Sequence, residues 1–304
     1  MGGMLEMLLL PFITCVLMSG ILGYLGLHVL KREVVFIDIA LAQIAALGAI
    51  SAHLLLAAGD NSLLSHLAAF GATFLAAAFF AYSRRTVVEI PLEAIIGVTY
   101  AIAAGATLFL AGVATGGHVH VQELLAGSIL WVTKSQVLGS LFTFVLVGMC
   151  FFLFRVPFNT ISADYEKARV EGVHVVRWDF VFYALFGVVI TLSVRMAGVV
   201  VVFAFLIIPA TASAMWSTRV PSRLMIAWGI GVAASATGLL FAYRWDYSVG
   251  PAVAFFLGLT LGFIALSRVL LPKARTALNR PVAALRSGQV EVLPLRRKRN
   301  GSFE

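Results

Sequence analysis

Charge is what this chain most lacks. Asp, Glu, Lys and Arg make up 12% of its 304 residues, against roughly 25% in a soluble domain. A water-soluble fold would have to bury about eight or nine wholly apolar helices behind a polar surface the sequence does not supply. Cysteine is almost missing as well: Cys15 and Cys150 both fall in apolar stretches, which leaves no disulfide framework. CxxC, HExxH and clustered Cys/His patterns are absent, so no structural metal site is written in the chain. GxxxxGK[ST] is absent too, and without it the chain has no P-loop with which to bind and hydrolyse ATP. No basic segment precedes the first apolar run, so a cleavable signal peptide is not expected. Nor is there a folded basic module of the kind that reads nucleic acid.

What is present is apolar sequence in long runs. Stretches free of Asp, Glu, Lys and Arg cover 7–30, 39–58, 61–83, 94–121, 135–154, 196–218, 224–243 and 247–267, with a shorter one at 180–194. Crossing the hydrocarbon core takes about 20 apolar residues. The expected fold is therefore an all-α polytopic membrane protein with nine transmembrane helices, or eight if the first or the short sixth stretch does not fully cross. Residues 1–271 form the transmembrane domain, and 272–304 form a basic tail holding Lys273, Arg275, Arg280, Arg286 and the run Arg296-Arg297-Lys298-Arg299. Basic residues beside a membrane are drawn to anionic lipid by about 1 kcal/mol each.

Basic residues also alternate from loop to loop. Lys31-Arg32, Arg84-Arg85, the 155–177 loop, Arg219 with Arg223, and everything after Arg268 are positive; the connections between them are poor in Lys and Arg. The positive-inside rule puts the first set and the C-terminus in the cytoplasm, and the N-terminus outside.

Polar side chains inside spans are costly and become functional candidates by default. The second span carries Asp38, Gln43, Ser51 and His53 among small residues. At 100° per residue Asp38 and His53 lie about 60° apart, while Gln43 lies about 140° from Asp38. One straight helix does not bring all three onto one ligand, so a pathway lined at several depths is expected. The loop GGHVHVQELL holds His118, His120 and Glu123. These are donor types suited to a borderline cation such as Zn²⁺ or Mn²⁺, although the two histidines converge only if that stretch is extended.

The central strip DYEKARVEGV alternates sign through Asp164, Glu166, Lys167, Arg169 and Glu171, with Ala163, Ala168, Val170 and Val173 on an apolar side and Gly172 placed to stop a helix of about ten residues. A charged element held between spans on the cytoplasmic side is the natural dock for a separate energy-supplying chain. After it, 180–194 and 196–218 are separated only by Arg195, which predicts a tight antiparallel pair. Gly198 admits close approach there. Pro209 removes a backbone donor and crowds Phe205, predicting a kink that interrupts the second helix, for gating or for shape alone.

Taken together, GLHVLKREVVFIDIALAQIAALG, LAGSILWV, DYEKARVEGV and MAGVVVVFAFLIIPATASA resemble the permease subunits of bacterial ABC importers for zinc and manganese, the ABC-3 family, over roughly residues 8–270. The resemblance implies an inner-membrane permease working as a dimer, with a cytoplasmic ABC ATPase, an extracytoplasmic binding lipoprotein, a transported divalent cation and no tightly bound cofactor. The family's coupling helix falls on 163–173. One departure stands out. Where members carry Gly-Asp-x-x-Ser-His in the second span, this chain reads Asp38-Ile39-Ala40-Leu41-Ala42-Gln43, so isoleucine replaces the acid and glutamine the histidine. A non-catalytic scaffold that recruits a cytoplasmic partner, and a secondary transporter with an intramembrane acid–base relay, are the readings from other classes.

Overall fold

The computed structural model describes the backbone of residues 2–56, 62–87, 89–113, 127 and 129–286, with side chains described from Met7 to Arg268 within those ranges. His118 and His120 lie outside the described residues. Every regular element among the described residues is helical: α1 (Gly2–Arg32), α2 (Ile37–Leu56), α3 (Leu63–Thr86), α4 (Leu92–Val113), a 3₁₀ turn at Ile129–Trp131, α5 (Lys134–Leu153), α6 (Arg155–Ala163), α7 (Tyr165–Val170), α8 (Val175–Ala197), α9 (Val199–Trp216), α10 (Val220–Trp245) and α11 (Val249–Arg286). Nine of the helices among the described residues are long and apolar enough to cross a membrane, the two short ones being α6 and α7. The chain is an all-α polytopic membrane protein with nine candidate spans.

Helix boundaries follow local chemistry. Ser62 caps α3 by accepting from the Ser65 amide, and Thr133 with Gln136 forms a reciprocal capping box on α5. Asp246 ends α10 in the left-handed region, φ 57°. The chain forms one compact unit up to Gly262, and a second begins at Phe263. The boundary expected at 271 falls inside α11.

Within the first unit, α2 packs on α3 and α4, α3 on α8, and α1 on α9 and α10. The short sixth stretch proves to be the most enclosed span. α8 is 23 residues long and takes in Arg177, Asp179 and Arg195, which had truncated the uncharged run. At about 1.5 Å per residue that is ample length to cross.

Two expectations about the next helix change. The break between α8 and α9 lies at Gly198, not at Arg195, and each helix packs more extensively on other helices than on its sequence neighbour. The expected tight pair is therefore only a tight joint. Gly198 sits at φ 82°, ψ 160°, a combination essentially confined to glycine. Pro209, expected to interrupt its helix, lies inside α9, which continues to Trp216. The weakened turn is enclosed by protein. Phe205 is fully buried, and Gly26 of α1 approaches so closely that a Cβ there would run into the Leu206 carbonyl. Non-helical or unpaired backbone at membrane depth is tolerated under such cover.

Candidate functional site

Two ends of the bundle can be told apart by their contacts. At one, the C-termini of α1 and α3 meet the first turns of α8. Arg32 donates from Nη1 to the Asp179 carboxylate at 2.6 Å, and Arg84 donates to the other carboxylate oxygen at 3.2 Å. α2 and α4 begin at this end, where the Phe36 amide donates to Glu93 at 3.0 Å. At the other end Arg195 of α8 lies 2.6 Å from the His66 ring of α3, and Gly127 lies against the Ala197–Gly198 backbone.

The first end is built around a buried charge. The Arg32 and Asp179 side chains are both fully enclosed, and Arg84 is 15% exposed. Arg32 also donates from Nε to the Ser162 hydroxyl at 2.8 Å, and that hydroxyl lies 3.0 Å from His28 Nδ1. The Arg32 guanidinium stacks 3.8 Å from the Phe182 ring centroid, and that of Arg84 lies 4.3 Å from Tyr165. Aromatic rings of Phe151, Phe158 and Phe182 pack edge-on or tilted against one another and wall the cluster off from solvent. Ser162 belongs to α6 and Tyr165 to α7. One carboxylate thus ties three spans to the two short helices between spans, through direct or single-residue links.

Those two short helices form an elbow. Asp164 ends α6 and caps α7, accepting from the Lys167 amide at 3.0 Å. The helix expected over 163–173 is therefore shorter, six residues, with Asp164 at its cap and Gly172 at φ 82° after its end. Ile161, Ala168 and Val175 make a small apolar cluster inside the elbow. Outside it, Glu166 pairs with Arg169 at 3.4 Å and Lys167 with Glu171 at 4.0 Å, all exposed, beside an exposed Val170. Exposed pairs of this kind contribute about 0–1 kcal/mol, so their charges remain available to another surface. Burial, followed by the nearby Asp179 charge, raises the Tyr165 hydroxyl above its ordinary value, which keeps it neutral at physiological pH.

The second-span residues do not converge. Asp38, in the first turn of α2, is buried, and neither carboxylate oxygen has a hydrogen-bond partner among the described residues. Gln43 and Ile39 are half-buried and sit one helical turn apart, on a different side of α2. His53 is half-buried in the last turn, at the far end. Among the described residues no three His, Cys, Asp or Glu side chains gather into a metal-holding group. Sequence reasoning missed Arg32, Arg84, Asp179, Ser162 and His28. The signal was present in part, since Asp179 is an acid placed at the edge of an apolar run and Arg32 and Arg84 each close one.

Residues 4–268 match the ABC 3 transport family. The chain belongs to that family. It is 22% identical over 242 residues to the manganese transport system membrane protein MntC of Halalkalibacterium halodurans, covering 79% of this chain and 80% of that one. It is 24% identical over 254 residues to the high-affinity zinc uptake system membrane protein ZnuB of Haemophilus influenzae, covering 82% and 93%. Against two further curated relatives it spans about half of their length, 47% and 57%. Among solved structures, PsaBC from Streptococcus pneumoniae in complex with Fab superposes with a TM-score of 0.69 at 19% identity, covering 85% of this chain and 90% of that one.

Proposed function

We propose that this permease carries a divalent metal ion, zinc or manganese by its relatives' names, from an extracytoplasmic binding lipoprotein to the cytoplasm. It would work as a dimer in the bacterial inner membrane, crossing nine times with its C-terminus inside, and be driven by a cytoplasmic ABC ATPase. The observation that carries this reading is the α6–α7 elbow. Its outer face is charged and exposed, while its inner face is joined through Ser162 and Tyr165 to the Arg32–Asp179–Arg84 cluster. Force applied to the elbow thereby reaches α1, α3 and α8 directly. ATP supplies the energy on the partner chain; here the elbow receives it and the spans move.

Exchanging the exposed pair, Glu166→Arg with Arg169→Glu, keeps an i,i+3 pair but inverts the pattern shown to a partner. Uptake by the reconstituted complex is expected to fall at least about tenfold with folding unchanged, because each exposed pair holds under about 1 kcal/mol. Wild-type uptake and wild-type ATPase stimulation after the exchange would remove the elbow from docking.

A second reading concerns the cargo. Ile39 and Gln43 occupy the half-buried side of α2 where relatives of the zinc and manganese type are expected to show an acid and a histidine, and Asp38 is turned into the packed interior instead. A neutral amide oxygen is a weak ligand for zinc, which favours an importer of this fold for a different substrate. Uptake assays across Zn²⁺, Mn²⁺ and Fe²⁺ in wild type, Asp38→Asn and Ile39→Asp/Gln43→His separate the two readings. If the cargo is zinc or manganese drawn by Asp38, Asp38→Asn loses most uptake. If the cargo differs, wild type moves neither Zn²⁺ nor Mn²⁺ and Ile39→Asp/Gln43→His acquires measurable uptake of one of them.

A further inference from the structure

Beside the elbow, on the flank of α3, is a cavity of about 690 Å³ with basic and apolar lining. The basic lining is Arg85 in the last turn of α3, Arg177 in the first turn of α8, and Arg169 from α7. The apolar lining includes Ala78 and Tyr82 of α3 and Phe180 of α8. Arg169 is shared with Glu166, but among the described residues neither Arg85 nor Arg177 has a partner, and both are exposed. The apolar lining does not stop at the cavity. Leu75, Ala78, Tyr82 and Arg85 follow at spacings of three and four along α3, so they share one face, and that face is open: Leu75 is 75% exposed and Tyr82 63%.

From this geometry we infer a binding site for the headgroup and upper acyl chain of an anionic phospholipid. The phosphodiester sits between Arg85 and Arg177, and a chain runs down the Tyr82–Ala78–Leu75 face. The chemistry of each part fits. Guanidinium groups pair bidentately with phosphate oxygens, and basic pockets between spans on the cytoplasmic side take up anionic headgroups. The volume lies within the usual range for small-molecule sites, about 300–1,000 Å³. An acidic protein loop would satisfy the arginines but would leave the apolar stripe uncovered along the span. A lipid covers both at once, and the stripe is continuous with surface that faces hydrocarbon if α3 spans. The site adjoins Gly172 and Arg169, so a bound lipid would brace the elbow from its membrane side. None of this depends on which cargo moves, so the cargo reading can fail while the lipid site stands.

The test is native mass spectrometry of the full-length protein in detergent, supplied with phosphatidylglycerol or with phosphatidylcholine. Each is measured for wild type and for Arg85→Gln/Arg177→Gln, with melting followed in parallel. Wild type is expected to retain phosphatidylglycerol and to be raised in melting temperature by it. The double variant is expected to bind about thirty-fold more weakly, from two basic side chains at about 1 kcal/mol each and 1.4 kcal/mol per tenfold. The two single variants are measured alongside, each expected to lose about fivefold on the same basis, so the comparison holds if the double variant fails to fold. Four results would overturn the inference: equal retention in variant and wild type, equal retention of phosphatidylcholine, complete displacement by inorganic phosphate, or crosslinking of positions 85 and 177 to the ATPase in the assembled complex.

Discussion

Asp179→Ala is expected to be among the most damaging single changes in this protein, lowering stability by about 3–5 kcal/mol. The carboxylate is fully buried and accepts from two guanidinium groups, Arg32 at 2.6 Å and Arg84 at 3.2 Å. Removing it leaves two cations facing each other across the space it filled, one of them with no access to water. The cost is that of a stranded buried charge more than of a lost bond. Three further expectations follow from the same geometry, the last of them a compensating change. Arg84→Met should be milder, because Arg84 keeps some contact with solvent and its loss leaves Arg32–Asp179 intact. Arg32→Met should approach Asp179→Ala in cost, since it also frees the Ser162 hydroxyl and exposes the ring of Phe182 to a void. Arg32→Met combined with Asp179→Leu should recover much of the loss, because a buried pair replaced by apolar groups of similar volume is often neutral.

Melting and denaturant curves of the purified protein measure all four variants. An Asp179→Ala protein that melts with wild type would show that the carboxylate does not hold this end together. The double replacement is also informative about function. If it melts like wild type yet no longer couples ATP hydrolysis to uptake, the charges serve transmission from the elbow as well as stability.

How far the amino-acid sequence reveals this molecule can be judged at that cluster. The spans were legible because hydropathy over about 20 residues is a one-dimensional property, and eight of the nine candidates appear as uncharged runs. α8 is longer than its uncharged run 180–194 because Asp179 and Arg195, which bound that run, lie inside the helix. Their partners stand 95 and 147 residues away for Asp179, and 129 away for Arg195. No local pattern carries a contact across that separation. The elbow was legible as a charged strip with an apolar side, but its division into α6 and α7 at Asp164 rests on a single capping side chain. On α2 the residue types pointed to candidate ligands, and helical geometry already kept Asp38 and Gln43 apart. Only packing reveals that Asp38 is the one turned inward.

Gly198→Ala and Gly127→Ala are expected to damage the opposite end, and to do so as one unit. Gly198 joins α8 to α9 at φ 82°, ψ 160°, where a side-chain-bearing residue costs about 1–3 kcal/mol. Gly127 has φ 67°, and a Cβ added there would collide with the Ala197 carbonyl and the Gly198 nitrogen. The first substitution strains the joint from within, and the second pushes on it from outside. Backbone atoms have no rotamer by which to yield, so Gly127→Ala should be the worse of the two. Once either change has displaced the joint, the other meets less resistance, and the double variant should lose less than the sum of the singles. Residues in contact typically show interaction energies of about 0.5–3 kcal/mol. The motif LAGSILWV then has a physical reason for its glycine: Gly127 lies against the backbone of the joint between α8 and α9. Denaturation of the two single variants and the double variant measures this directly. Losses that add within about 0.3–0.5 kcal/mol would mean that the two glycines act independently and that Gly127 does not bear on the joint.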